Sequence, residues 1–600
     1  MNTHKNIFIV LLLFLVISNG YLRPQIPEKK PTWANIKFAL YFGPREIENL
    51  LSDSITFSNT MQYFNPVRLS KVYLEMPIDG SISAELLQKL RNRFVQLNIK
   101  VAGALKPASK EKSICYNNSE FINRLEKSAK TLASIFDEIL FDGLYTNCNC
   151  EKCIAGRGKL NLMDYRSKLL LEKSKKHIID VAKMENTKVK VIIKFPNWYE
   201  AHRLSGYDVT KLASQFDGVI FGIETRASTT DIQHVPVYSG YVLQRWWSGI
   251  NKEKWIGVSI DNEDMKGKKN EYLAQVLQAI LGQSPEILLC SAGSLISSSY
   301  SDIYRAFCDL LSDLDRIAGI IKETPRGVPI YVPYGSEGEY NIFGYFGLIG
   351  IPLQPVAEFP NSSKIAIFTR NSLKDPNLAS KLLNRLREGK DVFLTLELLL
   401  RLQNSEFANV LSQIEYGNGT VVGTDFRVKK DDVRQVVKAE KPISFPIVKT
   451  VNYPDIRLVS LIREDYDFAV LLQIPYLNGN IYVINMPDNY YDIIRIPSQV
   501  LNVIRYLFYK DLDVYLAGSG GVCLYLVGNK QYIIYNLNSF WVSLSLKFEK
   551  ALPTIGWSEL FKRKRLELSV DASDETKTGN ASTNVYVALD PYDFAIIQAP

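Results

Sequence analysis

The chain is 600 residues long, 46% hydrophobic and 22% charged, a composition that excludes a disordered, collagen-like or purely coiled-coil protein. At roughly 100 to 250 residues per domain it has room for several cores. Its formal charge of +8 arises from 71 basic against 63 acidic residues with no long basic tract, and it gives no argument for nucleic acid as a partner.

The first twenty residues read as a leader. Lys5 supplies a positive start, Ile7 to Ile17 form an unbroken apolar run, and Ser18-Asn19-Gly20 places small residues where a signal peptidase cuts. An ordinary spanning helix requires about 20 apolar residues, so residues 1–20 predict a cleaved secretory signal and an extracytoplasmic protein, with an uncleaved membrane anchor as the alternative. Asn-x-Ser/Thr sites at Asn117, Asn361, Asn418 and Asn580 would permit glycosylation of an exported chain.

Over residues 32–325 one grammar repeats: a short apolar run, polar residues at its carboxyl end, then a longer amphipathic stretch. The runs are Ile36 to Phe42, Lys71 to Met76, Ile99 to Leu105, Glu138 to Phe141, Val189 to Phe195, Gly218 to Ile223, Trp255 to Ile260 and Ile287 to Leu289. Such alternation predicts parallel strands joined by helices, and eight units in just under 300 residues predict a (β/α)8 barrel. Residues 326–435 carry strand-like Val328 to Val332, Lys364 to Thr369 and Asp391 to Leu396 around a helical Asn377 to Glu388, which predicts a smaller Rossmann- or flavodoxin-like α/β domain. No GxGxxG follows its first strand, so a scaffold or assembly role is expected rather than nucleotide binding. Residues 436–600 change to short β-branched and aromatic runs separated by Gly and Asn, which predicts a C-terminal β-sandwich. Within it Ser569 to Thr583 reads as a polar exposed loop.

Barrel sites form at the carboxyl ends of the strands. Acidic, amide and aromatic residues collect there: Glu75 after strand 2, Asp142 after strand 4, Asn197-Trp198-Tyr199-Glu200 after strand 5, Glu224 and Arg226 after strand 6, and Asp261 after strand 7. Glycoside chemistry requires one acid for the leaving oxygen, one carboxylate to attack or to activate water, and aromatic faces for the sugar. Asp142 and Glu224 are expected to be that pair, on opposite sides of the barrel mouth. Glu75, Asn197, Trp198, Tyr199, Arg226 and Asp261 are expected to orient the sugar. The bland alternative is that Glu224 is only neutralised by Arg226.

Cys148, Cys150 and Cys153, with Cys115 upstream, are spaced for a tetrahedral thiolate site. Adjacent cysteines at this spacing bridge one another awkwardly, so structural zinc is expected ahead of two disulfides.

A barrel with a four-cysteine cluster just beyond strand 4, then a small α/β domain and a β-sandwich, resembles the glycoside hydrolase family 42 β-galactosidases. That resemblance implies a zinc cluster at Cys115, Cys148, Cys150 and Cys153, an amidotransferase-like second domain, and assembly into a homo-oligomer, a trimer in that family. The chain departs from the family's catalytic glutamates: it offers Phe141-Asp142-Gly143 after strand 4 and Asp261 after strand 7. At Phe141-Asp142, Thr146-Asn147-Cys148, Pro196 to Glu200 and Glu224-Thr225-Arg226 it is similar to uncharacterised secreted bacterial and archaeal proteins of glycosidase type. The function expected is a secreted glycoside hydrolase acting on an oligosaccharide or glycan. The alternative is a non-catalytic carbohydrate-binding or cell-surface protein on the same scaffold.

Overall fold

The computed structural model describes residues 31–107, 114–225, 235–263, 265–430, 433–451, 456–553, 555–562, 570–573 and 582–600. The expected leader over residues 1–20 lies outside the described residues. Among those described, no helix is long and apolar enough to cross a membrane.

Each of the eight apolar runs is a strand. β1 (Phe38–Phe42), β2 (Lys71–Glu75), β3 (Lys100–Leu105), β4 (Glu138–Phe141), β5 (Lys190–Phe195), β6 (Gly218–Gly222), β7 (Trp255–Asp261) and β8 (Ile287–Cys290) close into a parallel barrel in chain order. Amphipathic helices cover it. The helix Ser119–Ile135, for example, starts where the Asn118 side chain accepts from the Glu120 and Phe121 amides, and it buries Phe121, Leu125 and Leu132.

The period of two along each strand sorts the barrel interior into layers. Ala39, Tyr73, Ala102, Leu140, Ile192, Ile220 and Leu288 pack as one apolar cluster, with alanines beside the larger side chains. At the amino end Lys71 Nζ lies 2.8 Å from Glu138 and 3.1 Å from Glu286, and the Tyr73 hydroxyl donates to Glu138 at 2.9 Å. This polar plug closes that end and leaves the carboxyl end as the mouth. In a ring of eight, β4 and β6 are separated only by β5, and the strand that faces β6 across the barrel is β2. The expected placement of Asp142 and Glu224 on opposite sides of the mouth is therefore corrected: they flank a single strand.

β9 (Pro325–Arg326) leaves the barrel. The second domain then places β10 (Val328–Tyr331), β11 (Leu353–Val356), β12 (Ile365–Phe368) and β13 (Asp391–Thr395) in one parallel sheet. β14 (Ile414–Lys430), β15 (Val433–Thr450), β16 (Arg457–Arg463) and β17 (Tyr466–Tyr476) follow as an antiparallel excursion. The chain then returns as β18 (Gly479–Ile484), parallel to β13. The five parallel strands have the order 2-1-3-4-5 of flavodoxin-like sheets. The sheet thus runs to Ile484, and the expected boundary between 435 and 436 falls inside β15. Alternating β-branched strands look alike in a sheet extension and in a sandwich, so local pattern did not separate them.

β19 (Tyr515–Ala517), β20 (Val522–Val527), β21 (Gln531–Asn536), β22 (Val542–Phe548), β23 (Ser558–Glu559), β24 (Val570–Ser573), β25 (Ser582–Leu589) and β26 (Phe594–Gln598) form two C-terminal sheets. Tyr532 of one meets Phe548 of the other edge-on at 5.5 Å. β9 pairs with β20, tying the barrel's exit to this region. Val570–Ser573, expected as loop, is a strand paired with β25.

Candidate active site

The alternation that buries Ile192 inside the barrel also turns Lys194, two residues later, into the mouth. Its Nζ lies 3.2 Å from Glu224 Oε1 and 3.5 Å from Asp142 Oδ2, with side-chain exposures of 13% for Lys194, 5% for Glu224 and 17% for Asp142. Burial opposes the charge on Lys194, but Asp142 and Glu224 outweigh it and hold the ammonium pKa well above the usual lysine value. Ser259, opposite Gly222 in the β6–β7 register, donates to Glu224 Oε1 at 2.8 Å. A Cβ at position 222 would stand 2.3 Å from Glu224 Oε2, so glycine there leaves room for the carboxylate to fold back over the strand end. The partner of Glu224 among the described residues is thus Lys194. Arg226 lies outside them.

Glu75 ends β2, facing Glu224 from across the barrel, and is 4% exposed. The Tyr41 hydroxyl donates to its Oε2 at 2.9 Å, while Oε1 is buried without a hydrogen-bond partner among the described residues. Burial pushes this carboxyl up to about 7; the Tyr41 bond and Lys106 pull it down, and Asp142 and Glu46 add to the rise. Lys194, Tyr41 and Ser259 escaped sequence reasoning. The signal was present: in Lys190-Val-Ile-Ile-Lys194-Phe the second lysine shares the parity of an interior isoleucine.

The residues after β5 divide among different tasks. Asn197 is buried and its Nδ2 donates to the Glu224 carbonyl at 2.6 Å, so it holds the β6 end rather than presenting its amide to a sugar. Trp198 is half exposed, with the Tyr145 ring 6.2 Å away and inclined at 61°. Tyr199 turns the other way. It is buried against Phe343, and its hydroxyl donates to Asn371 Oδ1 of the second domain at 3.0 Å, which corrects the expected sugar contact. The next residue, Glu200, accepts from the Asn341 amide at 2.8 Å and anchors the same junction. Asp261 ends β7 beside the mouth, with its Oδ1 accepting from the Glu263 amide.

Beside this mouth the loops after β3 and β4 bring together Cys115, Cys148, Cys150 and Cys153, with all four sulfurs within 4.8 Å of one another. Cys115 Sγ is 3.7 Å from both Cys150 and Cys153, and all four thiols are unbridged. Metal–sulfur bonds of ~2.3 Å in a tetrahedron imply sulfur–sulfur edges of about 3.8 Å, whereas bridged sulfurs stand at ~2.05 Å. The donor set therefore fits a thiolate-bound metal ion. The Asn117 amide donates to Cys153 Sγ at 3.4 Å and to the Tyr165 hydroxyl at 2.8 Å, so this sequon asparagine faces the cluster.

Comparison with known proteins adds to this geometry. Residues 27–311 match a family model described as a probable glycosyl hydrolase catalytic domain, and residues 323–489 match the second domain of the uncharacterized protein SSO3021. SSO3021 itself, from Saccharolobus solfataricus strain P2, is 23% identical over 392 residues, covering 58% of this chain and 64% of that protein, less than two thirds of its length. Among solved structures, a β-galactosidase from Rahnella sp. R3 shares the fold with a TM-score of 0.56 at 10% identity, over 95% of this chain and 99% of its own. The second-domain match ends just past β18, in agreement with the sheet's return to its fifth parallel strand.

Proposed function

We propose that the protein hydrolyses O-glycosidic bonds at the barrel mouth. The observation that carries this reading is the convergence of Asp142 and Glu224 on Lys194, with Glu75 at the end of β2 across the same mouth, at the carboxyl end of a barrel similar to a glycosyl hydrolase catalytic domain. Asp142 and Glu224 flank the anomeric carbon and stabilise or capture its positive charge, while Lys194 and Ser259 fix their orientation. Their contacts of 3.5 and 3.2 Å to one ammonium cap the oxygen–oxygen separation at about 6.7 Å. Trp198 and Tyr145 supply an exposed aromatic edge for sugar C–H faces.

The leader-like first twenty residues support export, and the four-cysteine cluster supports a structural zinc ion, held by Cys115, Cys148, Cys150 and Cys153 with no position open for chemistry. The likeness to family 42 supports a homo-oligomer, a trimer, which light scattering tests directly. For the reaction itself, wild type is expected to release the aglycone from at least one aryl glycoside or oligosaccharide, and Asp142→Asn to release it at least ~10²-fold more slowly. Saturable sugar binding without turnover would support instead a binding protein on this scaffold.

A further inference from the structure

We infer that Glu75 is the proton donor to the departing oxygen, acting from the β2 side of the mouth opposite Glu224. The inference rests on the glycosidase reading and deepens it. In a pair made only of Asp142 and Glu224, both carboxylates are engaged by the one Lys194 ammonium. Glu75 has the opposite surroundings. No cation lies within ion-pair distance of it among the described residues, it is all but buried, and burial together with Asp142 and Glu46 outweighs the groups that favour its charge.

Those groups come from each neighbouring element. Tyr41 of β1 donates to Oε2, and Lys106 beyond β3 is exposed to solvent. Asp142 beyond β4 repels a charge on Glu75, as does Glu46 of the helix Pro44–Ser52; Cys290 of β8 adjoins Tyr41. Glu46 sits on the same side of the mouth: a Cβ at Gly43 would stand 2.7 Å from Glu46 Oε2 and 3.9 Å from Glu75 Oε2. Burial, with Asp142 and Glu46, outweighs Tyr41 and Lys106 and raises the carboxyl to about 7, so a proton is present near neutral pH.

Geometry assigns that proton a destination. Tyr41 occupies Oε2, whereas Oε1 is buried with no partner among the described residues, although buried polar atoms in proteins are nearly always hydrogen-bonded. A glycosidic oxygen held between Glu75 and Glu224 would fill that vacancy. In the step, the bond from the anomeric carbon to the leaving oxygen breaks with its electron pair on the oxygen, which takes the Glu75 proton. The anomeric carbon forms a new bond to a carboxylate oxygen of Asp142 or Glu224. Water then attacks that carbon, gives its proton to Glu75 and releases the carboxylate, so the site returns to its starting state.

The test compares wild type, Glu75→Gln and Tyr41→Phe on two glycosides of the same sugar, one with a 2,4-dinitrophenyl and one with an alkyl leaving group. Glu75→Gln is expected to lose at least ~10²-fold in kcat/KM, which reports the first step, on the alkyl glycoside but less than ~10-fold on the dinitrophenyl one, whose departure as a stabilised phenolate requires no proton. The alkaline limb of kcat/KM should vanish in Glu75→Gln. In Tyr41→Phe, which removes a hydrogen bond to the charged form, it should move to higher pH. Infrared difference spectra between about pH 6 and about pH 8, recorded without substrate, should show a protonated-carboxyl band in wild type and Tyr41→Phe that is reduced in Glu75→Gln to the part contributed by Glu339 and that loses the rest only when Glu339→Gln is added. Equal losses on both glycosides, or an unchanged alkaline limb in Glu75→Gln, would overturn the role of Glu75 and leave the glycosidase reading standing. Failure of wild type to turn over any glycoside would overturn that reading and this inference with it, whatever the infrared band shows.

Discussion

Lys194 Nζ stands 3.2 Å from Glu224 Oε1, and the same ammonium reaches Asp142 at 3.5 Å, so one strand-borne cation ties together the ends of β4 and β6. Removing one member of a buried ion pair strands the other charge, at a cost of about 3–5 kcal/mol. Lys194→Met is therefore expected to lower the urea midpoint markedly with little change in slope, and to reduce turnover together with it. Unaltered stability in equilibrium unfolding would contradict the role given to this lysine.

Asp142→Asn and Glu224→Gln should each lower kcat by at least ~10²-fold while the far-ultraviolet dichroism of the barrel persists. Capture of the anomeric carbon by one of these carboxylates, followed by attack of water on that carbon, further predicts that the first-formed sugar keeps the anomeric configuration of the substrate. Proton magnetic resonance during the first minutes of hydrolysis, before mutarotation, reports this directly; an inverted product would rule out the retaining geometry.

Trp198 and Tyr199 are neighbours with opposite fates. Trp198→Ala, altering a half-exposed ring, is expected to raise KM for oligosaccharides with kcat and thermal midpoint nearly unchanged. Tyr199→Phe removes the hydrogen bond to Asn371 across the domain junction, and should cost about 1 kcal/mol of stability without changing KM. The reverse pattern would mean that Tyr199, not Trp198, meets the sugar.

The cysteine cluster is expected to hold one zinc ion per chain, measurable by elemental analysis of purified protein. Cys150→Ser should lose the metal, and a strong chelator should lower the thermal midpoint of wild type but not of the variant. Two mapped disulfides among these four cysteines would refute the metal assignment.

Glu339 gives the second domain a pH signature. Burial raises its carboxyl to about 7, against hydrogen bonds from the Arg370 amide and the Thr395 hydroxyl, each at 2.9 Å. In the unfolded chain a glutamate titrates near ~4.3. Between those values the folded state keeps a proton that the unfolded state has released, so stability falls as pH rises through the window and levels off above it. Glu75 contributes in the same direction. Glu339→Gln, which preserves an acceptor oxygen, should flatten this part of a thermal-midpoint profile taken from about pH 5 to about pH 8.

The sequence by itself determined what depends on near neighbours. The eight barrel strands were legible because each is an apolar run bounded by amphipathic stretches. The four cysteines were legible because three of them lie within six residues, and Glu75, Asp142, Glu224 and Asp261 because barrel chemistry belongs at strand ends. Tertiary structure alone decided which residues share a space. Closure of the barrel put β5, and with it Lys194, between two carboxylates that were expected on opposite sides of the mouth, and brought Glu75 opposite Glu224. Docking of the second domain drew Tyr199 away from the mouth to Asn371, and the return of β18 to β13 carried that sheet past its expected end. Such outcomes depend on contacts between segments tens to hundreds of residues apart, and no local periodicity records which distant strand or domain will supply a side chain's partner.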